Sequence, residues 1–216
     1  MEWKRKPGTW QMTEHTKKGV CYVSFPLLDA ERGFVHGFST RIGGVSEGDL
    51  SSMNLSFTRG DDPERVRENY RRIAAAVGFE TDRLVLTHQT HTNHVRVVTE
   101  ADAGKGFVRE RDYTDVDGLV TDVPQLVLTT FYADCVPLFF IDPVHRAIGL
   151  SHSGWRGTVS DIAAATVRTM QREYGSRPEE LLVGIGPSIC QDCYEVSEDV
   201  IEEFRASYEE KLWMRL

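Results

Sequence analysis

Apolar residues recur along the chain in two periods, and the alternation between these periods lays out the expected elements. Short runs rich in Val, Ile, Leu and Phe, bounded by Gly, Pro or Asp, read as strands. The first two cover Val20 to Phe25 and Phe34 to Ser39, and the next two cover Arg83 to Thr87 and Val95 to Thr99. A close series follows: DGLVT from Asp117, QLVLTTFY from Gln125, VPLFFI from Val136, RAIGLS from Arg146 and LLVGIG from Leu181. Helical spacing interrupts them. Val66, Tyr70, Ile73 and Val77 recur at intervals of four, three and four, with Asp62 placed to cap, Pro63 at the first helical position and Gly78 as a stop. A second helix is expected from Thr158, marked by Ala163, Val167, Met170 and Tyr174 and ended by Gly175. A third begins near Ser197, with Glu198 and Asp199 in its first turn. Between the first strands and the first helix, TRIGGVSEGDLSSMN is a long Gly- and Ser-rich loop, of a kind uncommon unless it serves a site or is disordered.

These patterns predict an α+β fold, a single domain of mixed β-sheet strands with interspersed covering helices, spanning residues 16–216 behind a flexible lead-in at residues 1–15. The 216 residues are 40% hydrophobic, enough for a sizeable core. A formal net charge of −8, with no stripe of Lys or Arg, argues against nucleic acid as a partner. The basic N-terminal stretch lacks the apolar segment of a signal peptide, and no later segment is apolar enough to span a membrane, so a cytoplasmic location without a membrane partner is expected. The four cysteines are too few for a disulfide framework in a chain this long. Cys190 and Cys193 make one CxxC, and a structural zinc ribbon needs a second pair that Cys21 and Cys135 do not supply by spacing.

Candidate chemistry concentrates in FYADCVPLFFIDPVHRAIGLSHSGWRG, from Phe131 to Gly157. Cys135 precedes one predicted strand and His152 ends the next, so a strand pair would bring a thiolate and an imidazole to one sheet edge. The Gly-flanked Arg156 follows immediately. A metal site built on this pair needs a third ligand, and HQTHTNH offers His88, His91 and His94. Strand side chains alternate, so three histidines at every third position do not share one face. Two His and one Cys leave zinc an open fourth position, and the same set also describes a blue-copper centre. None of the methionines lies near Cys135 in sequence to serve copper as an axial ligand. Asp134 and Asp117 are candidates to orient ligands from behind.

The fragments STRIGGVS, NLS, QTH, DGLVT, ADCVPLFF, SHSGWRG, GPSIC and YEV, in this order between Gly37 and Phe204, resemble the laccase-domain family, also called the polyphenol oxidase or purine nucleoside phosphorylase family. The resemblance selects His91, with Cys135 and His152, as zinc ligands. It implies an enzyme that phosphorolyses adenosine, inosine and methylthioadenosine and deaminates adenosine, acting on small purine nucleosides and phosphate. Arg156 and Arg41 are then the expected phosphate contacts, with Cys135, His152 and Arg156 in the catalytic machinery. The family's older name implies a copper-dependent polyphenol oxidase instead. A Cys–His hydrolase with Cys135 as nucleophile, editing peptidoglycan precursors, is a third possibility, and a non-enzymatic metal-binding scaffold a fourth. Family members continue through Cys-Thr and Ser-x-Arg-Arg elements beyond the point where Leu216 stands, so a truncated form that binds zinc well and turns over poorly is expected. Ser153 occupies a position where the family commonly has Ala.

Overall fold

The computed structural model describes residues 12–208. They fall into two compact units that meet in sequence at Phe79 and Glu80.

In the first unit, β1 (Thr13–Lys17), β2 (Val20–Ser24) and β3 (Phe38–Ser39) form an antiparallel sheet in that order. Residues 13–15, expected to lie in the lead-in, are therefore in a strand, while residues 1–11 lie outside the described residues. β1 carries no apolar alternation because it is an edge strand that is largely exposed, whereas every residue of β2 is buried. Only Phe38 and Ser39 of the run from Phe34 pair as a strand. A single helical turn, α1 (Pro26–Asp29), follows β2.

The helix expected from Asp62 is α2 (Pro63–Val77). The Asp62 carboxylate accepts the Glu64 amide at 2.9 Å, and Gly78 ends the helix at φ 104°, a conformation that favours glycine. Ile73 and Ala76 on its apolar face join Val20, Tyr22 and Met53 in one core cluster. From the same helix the buried Asn69 reaches out to the Gly- and Ser-rich loop. Its side chain accepts from the Val45 amide at 2.7 Å and donates to the Asn54 carbonyl and to Ser46 Oγ, both at 2.8 Å. A loop without an apolar pattern of its own is thus held by one buried amide side chain.

The second unit is built on a five-stranded mixed sheet. Its strands are β5 (Val95–Val97), β6 (Gly118–Thr121), β8 (Val136–Asp142), β9 (Ala147–Ser153) and β10 (Leu182–Ile185), arranged β10-β8-β9-β6-β5. A separate parallel pair joins β4 (Leu84–Leu86) to β7 (Val127–Thr129). β6 is buried along its whole length because it is covered on both faces. Val120 packs with Leu138, Phe140 and Ala147 against Ile162 and Met170, and Leu119 packs oppositely with Val85, Val98, Val116 and Leu126.

Ile162 and Met170 belong to α4 (Ile162–Tyr174). The single helix expected from Thr158 is in fact two. α3 (Trp155–Val159) precedes α4, and the break falls at Asp161, whose φ of 59° is left-handed. α5 (Glu198–Ser207) opens after Ser197 as expected, and the Tyr208 hydroxyl donates to the Thr158 carbonyl at 2.6 Å. Among the described residues no helix is long and apolar enough to cross a membrane.

Candidate metal centre

Antiparallel pairing of β8 with β9 sets Val136 opposite Ser153 and Pro137 opposite His152. Cys135, one residue ahead of β8, therefore arrives beside His152 near the end of β9, as two adjacent strands require. The alternation of β9 then sorts its side chains. Ser151 Oγ bonds Thr166 Oγ1 in α4 at 2.6 Å, and Ser153 Oγ bonds Thr158 Oγ1 in α3 at 2.8 Å, while His152 points to the opposite face.

The third side chain comes from the loop between β4 and β5. His91, Cys135 and His152 place their ligand atoms within 4.8 Å of one another, and His91 Nε2 lies 4.0 Å from Cys135 Sγ. The other two histidines of HQTHTNH face elsewhere. His88 Nδ1 accepts the Asp115 amide at 3.2 Å, and His94 Nδ1 sits 3.1 Å from the Asp115 carbonyl. One of the three thus enters the site and two hold the strand lead-in beside it.

Asp117, fully buried just ahead of β6, organises this loop. Its Oδ1 accepts the His91 amide at 3.0 Å and pairs with His152 Nδ1 at 2.8 Å. Its Oδ2 accepts the amides of Thr90 and Thr92 and the Thr92 hydroxyl, each at 3.0 Å. Three consecutive amides converge on one carboxylate only if the chain curls tightly, and His91 sits at the centre of the curl at φ 67°. Burial alone would push the Asp117 carboxyl up, but the His152 ring and the amides of Thr92 and Thr90 pull it down to about 2. Burial likewise works against a charged His152 ring, yet Asp117 and Cys135 raise it to about 9. His91 moves the other way, lowered first by burial and then by the neighbouring His152.

The loops that carry the site are tied to each other. Gln89 acts as a piece of strand: its Nε2 donates to the Phe131 carbonyl and its Oε1 accepts the Phe131 amide, both at 2.7 Å. The Tyr132 hydroxyl donates to the Ser151 carbonyl at 3.0 Å. At Gly154 a Cβ would lie 2.6 Å from His91 Cδ2 and 3.1 Å from Cys135 Sγ, so absence of a side chain there makes the space in which the triad meets. Gln89 and Gly154 lie inside the QTH and SHSGWRG fragments, but their roles have no signature in sequence because both depend on contacts with distant segments.

The donor set suits a metal ion. Because Asp117 holds His152 Nδ1, the Nε2 of that ring is left to face the triad, the arrangement by which a carboxylate fixes the tautomer of a metal-binding imidazole. Bond lengths of about 2.0–2.3 Å to zinc in a tetrahedron separate ligand atoms by roughly 3.3–3.7 Å, within a small side-chain rotation of the spacing found. The set of two imidazoles and one thiolate also leaves one tetrahedral position for a small molecule.

Arg156 is exposed in α3, with its guanidinium 4.1 Å from the Trp155 ring centroid, and its charge contributes to the lowering of His91. Asp134, exposed, offers its main-chain carbonyl to the Ile189 amide at 3.0 Å, so the orienting role expected of either aspartate is taken by Asp117. Arg41 belongs to the first unit. Its guanidinium donates to the carbonyls of Asp49 at 2.9 Å and Ser51 at 2.8 Å within its own loop.

The model of the family described as multi-copper polyphenol oxidoreductase laccase matches residues 35–215. A purine nucleoside phosphorylase of Deinococcus radiodurans is 43% identical over 183 residues, which are 84% of this chain and 68% of the relative. Adenosine deaminase RL5, from an unknown prokaryotic organism, is 38% identical over 176 residues, 81% of this chain and 67% of that protein. Among solved structures, the Bacillus licheniformis hypothetical protein YfiH superposes with a TM-score of 0.84 at 32% identity, covering 92% of this chain and 73% of that one.

Proposed function

We propose that this chain, which belongs to the multi-copper polyphenol oxidoreductase laccase family, is a zinc-dependent purine nucleoside enzyme that phosphorolyses nucleosides such as adenosine, inosine and methylthioadenosine and deaminates adenosine. The observation that carries the reading is the convergence of His91, Cys135 and His152 with Asp117 bonded behind His152. Names borne by relatives of which the chain spans about two thirds support the substrate class.

His91, Cys135 and His152 would hold the ion, which supplies Lewis acidity for activating an oxygen nucleophile when bound. Asp117 keeps the His152 ring in one tautomer and orientation and fixes the His91 backbone, so both imidazoles are positioned before ligand arrives. Gly154, having no side chain, leaves room for the triad to meet. Arg156 presents a guanidinium beside it, suited to two oxygens of a phosphate through paired donors. Arg41, the other arginine expected to meet phosphate, would have to exchange the carbonyls of Asp49 and Ser51 in its own loop for the anion.

Elemental analysis of the purified protein followed by incubation with adenosine and phosphate tests the reading. About one zinc per chain is expected, with free adenine appearing only when phosphate is present and ammonia appearing without it. Cys135→Ala should lose the metal while Cys190→Ala keeps it. Active protein carrying stoichiometric copper and no zinc would overturn the metal assignment, and oxidation of a phenol without nucleoside turnover would overturn the substrate assignment. Arg156→Ala should fold normally and lose roughly ten- to a hundredfold in the phosphate-dependent reaction, the value of one charge-assisted contact of about 1.5–3 kcal/mol. Deamination measured in the same variant should change much less.

A further inference from the structure

The cysteine pair that the metal centre leaves unused has a geometry of its own. Of the four cysteines, Cys21 is buried and Cys135 is half-buried in the triad, whereas Cys190 and Cys193 are both exposed. They stand at the two ends of one tight turn, closed by a hydrogen bond from the Cys193 amide to the Cys190 carbonyl at 3.0 Å. A turn closed this way keeps its first and fourth Cα atoms within about 7 Å, which overlaps the span a disulfide bridges. Both side chains are exposed on this one turn, and each thiol shifts the other's titration, so they lie near one another. The two ends also differ chemically. The Cys190 thiol is lowered, first by the neighbouring Cys193 thiol and further by the main chain of the turn, while the Cys193 thiol is raised by Cys190. Among the described residues, the group of side chains able to hold a metal is the triad, and neither of these cysteines belongs to it.

We propose that Cys190 and Cys193 form a reversible dithiol–disulfide site that reacts with low-molecular-weight disulfides, Cys190 attacking and Cys193 resolving. The Cys190 thiolate attacks one sulfur of the small disulfide, the disulfide bond breaks and one small thiolate leaves. The resulting mixed disulfide is attacked at the Cys190 sulfur by the Cys193 thiolate, which forms the intrachain bond and expels the second small thiolate. The small disulfide is reduced to two thiols and the protein dithiol is oxidised, so electrons balance without any metal. The site is independent of the nucleoside reading, because its test does not use turnover.

The metal-loaded 216-residue chain is equilibrated in buffers of reduced and oxidised glutathione near neutral pH, quenched with acid, alkylated and mapped by peptide mass spectrometry. The expected product is a peptide with Cys190 linked to Cys193, reopened by excess reduced glutathione, with Cys21 and Cys135 still thiols. In Cys193→Ser the mixed disulfide should accumulate on Cys190, and in Cys190→Ser the remaining Cys193 should react several-fold more slowly than Cys190 does in the first variant. Both replacements sit on the surface, and circular dichroism checks that each variant folds. Persistence of two free thiols in excess oxidised glutathione would overturn the proposal. So would separate glutathione adducts on both cysteines without a closed ring, or equal rates in the two single variants.

Discussion

His91 has a left-handed backbone, an uncommon conformation for a residue with a side chain, and the amides on either side of it show what stabilises it. Asp117 accepts from Thr90, His91 and Thr92 in succession, so the conformational cost at one residue is offset by charge-assisted hydrogen bonds at three. The same carboxylate holds His152. Asp117→Asn keeps the size but removes the charge and puts a donor either where the His91 amide and the His152 ring meet an acceptor or where two amides and the Thr92 hydroxyl do. Zinc affinity, measured by competition with a chromogenic chelator, should fall by about 10–100-fold, the range found for partners of metal-binding imidazoles. Gly154→Ala acts on the triad directly. Its φ of −73° suits any residue, so the effect comes from the methyl group itself, which would stand 2.6 Å from His91 Cδ2. The variant should fold with near-native secondary structure and bind zinc at least about tenfold more weakly. Native affinity in that protein would mean that His91 yields to the methyl group without leaving the metal.

Among the elements, the β8–β9 pair delivers two side chains of the triad, and its register is fixed at the far end by the turn. Asp142 accepts the amides of Val144 at 2.9 Å and His145 at 3.0 Å, so seven residues on each strand are in step by the time they reach the site. The segment between β5 and β6 is fastened by a buried charge cluster instead. Asp102, nearly fully buried, accepts from Lys105 Nζ at 2.7 Å, from Arg96 Nη2 at 3.2 Å and from the Thr99 amide at 2.8 Å. Burial by itself would raise its carboxyl, but these partners bring it from 3.8 down to about 2. A carboxyl depressed on folding adds stability above its unfolded pKa and loses it as pH falls through the folded value. The contribution, roughly 1–2 kcal/mol, should therefore be complete above pH ~4 and vanish toward pH ~2. Urea unfolding of Asp102→Asn across that window should show a shallower dependence on pH than the parent. An equal slope would place the acid sensitivity elsewhere.

For the molecule as a whole, the His91–Cys135–His152 triad is assembled from hydrogen bonds that need no metal. Gln89 joins the His91 loop to Phe131, Tyr132 joins the Cys135 loop to β9, and Asp117 joins both histidine segments. Removal of the ion should consequently leave the chain folded. Free metal at a hundred times its dissociation constant contributes about 2.7 kcal/mol, so stripping it should lower the melting temperature by roughly 5–10 °C without loss of far-ultraviolet dichroism. Unfolding on chelation would instead mark a site that exists only with its metal.

The sequence by itself determined the elements with their own apolar period and end signals: α2 between Asp62 and Gly78, the closely spaced strands β6 to β9, and α5 after Ser197. It also brought Cys135 and His152 together, because consecutive strands across a tight turn pair as neighbours. Local pattern was silent where a partner far away decides. β1 has a polar sequence and is a strand because β2 offers it an edge, and the left-handed Asp161 divides the helix whose apolar spacing reads as continuous. The choice of His91 among three histidines had its warrant in resemblance rather than spacing. Tertiary structure supplies the physical reason: Asp117, 26 residues away, curls the backbone at His91 toward Cys135, while Asp115 engages the rings of His88 and His94. A period along the chain reports which face of an element is buried, but which side chain completes a site depends on hydrogen bonds between segments that sequence order keeps apart.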